Sequence, residues 1–154
     1  MSFIFRFAVI FFTCFLFACG EQSKLSSPLE TLKAYTQAIK KKDTTAMKLL
    51  LSDASIKMAE QEARAQNRTL DDVVKNETLF SENQSSLKFR NEKIDAGKAT
   101  IEVENSFGSW DTVPFVREEG VWKIDKQALA NQMLRQNEED NKKLDDIINQ
   151  GRQP

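Results

Sequence analysis

Few residue types in this chain could carry chemistry. It has no histidine, two cysteines and a single tyrosine. Histidine is the commonest general base near neutral pH and the commonest metal ligand, so its absence argues against hydrolytic triads and ordinary zinc sites. Acid–base work would then fall to a carboxylate working with Tyr35. Such a pair in an apolar pocket can move a proton next to a carbonyl. Asp53, Asp95 and Asp111 lie nearest to apolar or turn positions, yet each is explained as a cap or turn residue. Tyr35, on an apolar helical stripe, Trp110, at a turn, and Trp122, in the last apolar run, could line a ligand pocket. Core packing is the simpler account of Tyr35 and Trp122, and a half-exposed turn aromatic that of Trp110. The expectation is therefore no catalytic constellation, no cofactor and no metal.

The cysteines point elsewhere. Seven of the eleven phenylalanines fall in the first eighteen residues, where Arg6 is the only charge. A basic start, an apolar run and a small residue at the end describe a signal peptide, and the run is shorter than the roughly 20 apolar residues of a membrane span. Its end, Leu16-Phe17-Ala18-Cys19 followed by Gly20, resembles the lipobox of bacterial lipoproteins. The resemblance implies diacylglycerol on the Cys19 thiol, cleavage between Ala18 and Cys19, and further acylation of the new amino terminus. Cys14, preceded by Thr13 and inside the apolar run, fits less well. An ordinary secreted protein cut near Ala18, or an uncleaved anchor, are the alternatives. Gly20 and Glu21 are not the aspartate that retains enteric lipoproteins at the inner membrane, so the expected place is the bacterial envelope, at an outer membrane facing the periplasm.

Without residues 1–18 the chain carries 21 Lys plus Arg against 23 Asp plus Glu. That balance draws neither nucleic acid nor anionic lipid by charge. Attachment to a membrane would rest on the lipid of Cys19.

Residues 19–27 read as a polar tether reaching roughly 25 Å when extended. Ser27-Pro28-Leu29-Glu30 then predicts a helix start, with Ser27 and Glu30 as a capping box and Pro28 at the first helical position. Leu32, Tyr35 and Ile39 continue at helical spacing. Lys40-Lys41-Lys42 is expected as a solvated helix end. Asp43, then Ser52 or Asp53, then Thr69 with Asp72, predict three further helix starts. Beyond residue 86 the period becomes alternating. Four apolar runs, around Leu87 to Ile94, Ile101-Val103, Val113-Phe115 and Trp122-Ile124, are separated by turns at Asp95-Ala96-Gly97, Gly108-Ser109 and Glu118-Glu119-Gly120. This predicts an antiparallel meander with one wet face. Residues 126–154 read as a polar helical extension. Its apolar clusters at Leu129-Met133-Leu134 and Leu144-Ile147-Ile148 flank a stretch where Glu138 with Lys142, and Glu139 with Lys143, could pair.

Helices first and a curled antiparallel sheet second is an α+β fold. With Gly97-Lys98-Ala99-Thr100-Ile101-Glu102-Val103 and Glu119-Gly120-Val121-Trp122-Lys123-Ile124-Asp125, the chain resembles the nuclear-transport-factor-2-like (cystatin-like, ketosteroid-isomerase-like) superfamily, and within it bacterial lipoproteins of unknown function. The resemblance covers roughly residues 27 to 126. It implies a domain over 28–125 whose four-stranded sheet wraps the first helix and leaves a cavity at its open end. Enzymes of the superfamily place an Asp/His or Asp/Tyr set in that cavity, and many relatives only bind. With no histidine, the expected role is a membrane-anchored module that binds a small apolar ligand or an envelope protein, homodimerisation through the last helix included. A cyclase, dehydratase or isomerase using a pocket carboxylate with Tyr35, as the resemblance also allows, is the alternative.

Overall fold

The computed structural model describes residues 27–76, 78–80 and 87–150. Ala18, Cys19 and the tether lie outside the described residues, apart from Ser27 at its end.

Each of the first four helices begins where a short polar side chain can accept an otherwise orphaned N–H. Helix α1, Pro28–Lys41, opens with the Glu30 N–H donating to Ser27 Oγ at 3.1 Å. It stops at Lys42, in the left-handed region at φ 56, where the Asp43 N–H turns back to the Ala38 carbonyl at 2.9 Å. Helix α2, Thr44–Leu50, is capped by Asp43, and α3, Asp53–Ala65, by Ser52. At α4, Leu70–Asn76, the Asp72 N–H donates to Thr69 Oγ1 at 3.1 Å while the Thr69 hydroxyl donates to the Asp72 carboxylate at 2.6 Å. That hydroxyl, first among several donors and charges, holds the Asp72 carboxyl below its ordinary pKa.

Strands β1 (Phe89–Asp95), β2 (Lys98–Glu104), β3 (Trp110–Glu118) and β4 (Val121–Ile124) form one antiparallel sheet in chain order. The β1–β2 turn has Ala96 and Gly97 at φ 42 and 86, and the β3–β4 turn has Glu119 and Gly120 at φ 50 and 82. Two successive positive φ values give a turn whose twist suits a hairpin. Inward residues Ile101, Val103, Val113, Phe115, Trp122 and Ile124 are buried in one core with Leu32, Tyr35 and Ile39 of α1. The core is α+β, as expected, with helices on one face of a four-stranded meander.

Strand β1 departs from the alternating pattern. All seven of its residues are exposed, and its register with β2 shifts between Arg90 and Lys93. The bulge sets Phe89 against Val103 and Ile94 against Ala99, so both lie on the inner face, but β1 is the edge of the sheet and leaves them 41% and 58% exposed.

Two buried polar connections lock the helices to the last strand. Thr31 Oγ1 of α1 donates to the Trp122 carbonyl at 3.0 Å. Where α2 passes into α3, Leu51 bridges Ile124, the Ser52 N–H donates to the Ile124 carbonyl at 2.9 Å, and Ser55 Oγ donates to the same carbonyl at 3.2 Å. Ser55 Oγ also accepts from the Lys126 N–H at 2.7 Å, which fixes the root of the last helix.

That helix, α5, Lys126–Gln150, is capped by Asp125, whose Oδ1 accepts from the Ala128 N–H at 2.9 Å. Residues 126–130 are half-buried against the body, and residues 131–150 are exposed throughout. The expected pairs Glu138–Lys142 and Glu139–Lys143 do not form. Lys143 instead meets Asp140 at 3.2 Å, and Gln136 donates to the same carboxylate. Three residues separate Asp140 from Lys143, a spacing that also stacks side chains on one helix face.

Candidate functional site

A cavity of about 280 Å³ opens at the end of the β2–β3 hairpin. Its apolar lining comes from Leu79 and Phe80 of the segment after α4, Val103 and Val113 of the sheet, and Leu129 and Met133 of α5. Its polar lining is Thr78, Glu104, Asn105, Ser106, Asp111 and Thr112. The hairpin loop holds its shape because Asn105 Oδ1 accepts from the Phe107 and Ser109 N–H groups, both at 3.0 Å. Gly108, at φ 77, supplies the left-handed residue that closes it.

The two carboxylates at this cavity already have partners. Glu104 faces Lys88 Nζ at 2.7 Å, and Asp111 accepts from Asn105 Nδ2 at 3.0 Å. The site is thus an apolar floor under a rim of hydrogen-bonding groups, which suits an apolar or amphipathic molecule.

Of the residues expected to form a pocket, none lines this cavity. Tyr35 is fully buried on α1, and its hydroxyl has no hydrogen-bond partner among the described residues. The Leu79 backbone lies near that hydroxyl without reaching hydrogen-bond geometry, and its small effect is overridden. Desolvation pushes the Tyr35 pKa up to about 12. Leu79 belongs to the cavity wall, and Tyr35 does not.

Trp122 is buried in the core, with the Arg117 guanidinium 5.9 Å from its ring centre. Trp110 starts β3 on the outer sheet face, where Arg90 stacks 4.0 Å from its ring centre. Arg90 also meets Glu102 at 2.7 Å. Its hydrogen bond, followed by that of Asn91, holds the Glu102 carboxyl below the ordinary range.

Asp53 begins α3 and Asp95 ends β1, both away from the cavity; of the three singled-out carboxylates only Asp111 reaches it. Leu79, Phe80, Leu129 and Met133 were not read as pocket residues. The signal that could have found them is the apolar pair Leu79-Phe80 standing alone after α4, outside any periodic run. Among the described residues no helix is long and apolar enough to cross a membrane, and no group of Cys, Asp and Glu could hold a metal ion.

Residues 22–145 match a family described as protein of unknown function, DUF2950. A solved structure from Campylobacter jejuni, named as an NTF2-like transpeptidase, is 16% identical over 64% of this chain and 98% of its own, with a TM-score of 0.40. No curated protein matches the chain.

Proposed function

The chain belongs to the DUF2950 family of proteins of unknown function, and from its cavity we propose a binding module: the domain takes a small apolar or amphipathic ligand between Leu79, Val113 and Leu129. In this reading a lipid on Cys19 tethers the domain at the bacterial envelope, on an outer membrane facing the periplasm. The observation that carries the binding role is the apolar floor of a cavity of about 280 Å³ whose two carboxylates are already engaged.

The arrangement favours binding over catalysis. A carboxylate enzyme would need Tyr35 at the reacting centre, and Tyr35 does not line the cavity.

Nile red, a neutral dye that fluoresces in apolar surroundings, is the probe. The purified chain should bind it saturably, and Leu129→Trp, which fills the cavity from a half-buried position, should weaken binding about tenfold or more, as loss of an apolar pocket does. Absence of saturable binding, or equal binding by the variant, would refute the cavity as the site.

A further inference from the structure

Helix α5 projects from the body with one face uncovered. Met133, Leu134, Leu144, Ile147 and Ile148 are between 44% and 66% exposed. At about 100° per residue they fall within an arc of about 140°, so they form a single face rather than scattered positions. An exposed apolar face of this extent marks an interaction surface.

The sequence of the helix specifies its occupant. Residues 131–150 are the exposed part, and their midpoint lies between Asp140 and Asn141. The apolar clusters Met133-Leu134 and Ile147-Ile148 lie symmetrically about that midpoint. Laid against a second copy running the opposite way, Met133 meets Ile148 and Leu134 meets Ile147. On one flank Glu138 comes within one residue of level with Lys142, and on the other Glu139 within one residue of level with Lys143. Within one chain Glu138, Glu139 and Lys142 make no ion pair among the described residues, which leaves them available for this pairing. A parallel, in-register pair would instead set each charge beside its own copy.

Length agrees as well. In the antiparallel arrangement residue 150 of one helix arrives opposite residue 131 of the other, where the body begins. The two bodies therefore sit at opposite ends of a helix pair roughly 30 Å long.

We propose that α5 pairs antiparallel with α5 of a second copy, giving a two-fold dimer in which Ile148 of each chain packs beside Met133 at the mouth of the other's cavity. The contact is isologous, as a closed two-fold interface requires. It does not depend on the cavity having a ligand, and its test reads a disulfide by mass, not the binding of a dye.

The test is cysteine crosslinking of the full chain in intact cells. Met133→Cys combined with Ile148→Cys should give an oxidised dimer whose disulfide joins position 133 of one chain to 148 of the other, identified by mass spectrometry. Either single variant should give none, because like positions lie about 22 Å apart along the pair. Crosslinking by the single variants, or none by the double variant, overturns the proposal. Both changes sit on exposed helix and leave the core intact.

Charge supplies the second measurement. Glu138→Lys with Glu139→Lys, and separately Lys142→Glu with Lys143→Glu, should each reduce self-capture of differently tagged copies about tenfold, and mixing the two variants should restore it. Undiminished self-capture, or no recovery on mixing, sinks the antiparallel register. Capture of lipid vesicles or another protein by α5, with no capture of its own copy, does the same.

Discussion

Tyr35 combines three properties seldom found together: it is the only tyrosine, it is fully buried, and its hydroxyl lacks a hydrogen-bond partner among the described residues. Desolvation raises its folded pKa to about 12, above the unfolded value of 10.0. Because the neutral form is the one favoured by folding, its contribution is intact below pH 10 and is lost as pH rises towards 12. Two pKa units correspond to about 3 kcal/mol of stability across that window. Ultraviolet titration of the native protein should therefore show phenolate appearing about two pH units later than in denaturant. Tyr35→Phe should flatten the alkaline fall in stability and, by removing an unsatisfied hydroxyl, cost less than about 1 kcal/mol at neutral pH. Ionisation near pH 10 in the folded chain would contradict the burial.

At the scale of elements, the joint between α3, β4 and α5 depends on one hydroxyl. Ser55 Oγ donates to the Ile124 carbonyl and accepts from the Lys126 N–H, and it sits 2.7 Å from Ser52 Oγ. Ser55→Ala leaves the Lys126 N–H without that acceptor at the root of α5, and should destabilise the domain by about 1–3 kcal/mol in urea unfolding. A change within 0.5 kcal/mol, roughly what an exposed substitution gives, would show that water replaces the hydroxyl. The same joint shows what can be read from a chain alone. Ser27, Asp43, Ser52 and Thr69 announce helix starts because a cap is made within three residues, and Gly97 and Gly120 announce hairpins for the same local reason. Strand β1 was harder to read because its bulge puts Phe89 and Ile94, of opposite parity in sequence, on one face, and its edge position leaves both exposed. Asp140 drew Lys143 away from the expected Glu139, a choice of rotamer that spacing leaves open. The cavity escaped more completely, because Leu79, Val113 and Leu129 meet only when three distant segments fold together.

The whole molecule joins a described body to residues 1–26, which lie outside the described part. The lipobox reading of that segment has a direct consequence: a clickable fatty acid fed to the producing cells should label the chain, and Cys19→Ser should abolish the label. Labelling that survives the substitution would remove the anchor assignment while leaving the cavity and the α5 pairing as they stand. With the anchor in place, the tether keeps each body within roughly 25 Å of the surface, and a two-fold pair through α5 would present two cavities on one membrane.

The hydrogen bond from Thr31 to the Trp122 carbonyl joins residues 91 positions apart, and Ile124 holds Leu51, Ser52 and Ser55 in the same strand. Helix α1 and the α2–α3 joint thus reach these partners only once β4 has been made, near the end of the body. Long-range contacts of this kind must close large loops before they return any stability. Synthesis of the first hundred residues therefore produces no finished unit, and the emerging chain stays pliable until its final strand is available. If residues 1–18 act as the export signal they resemble, such late closure would keep the chain threadable for as long as it has to pass through a narrow pore.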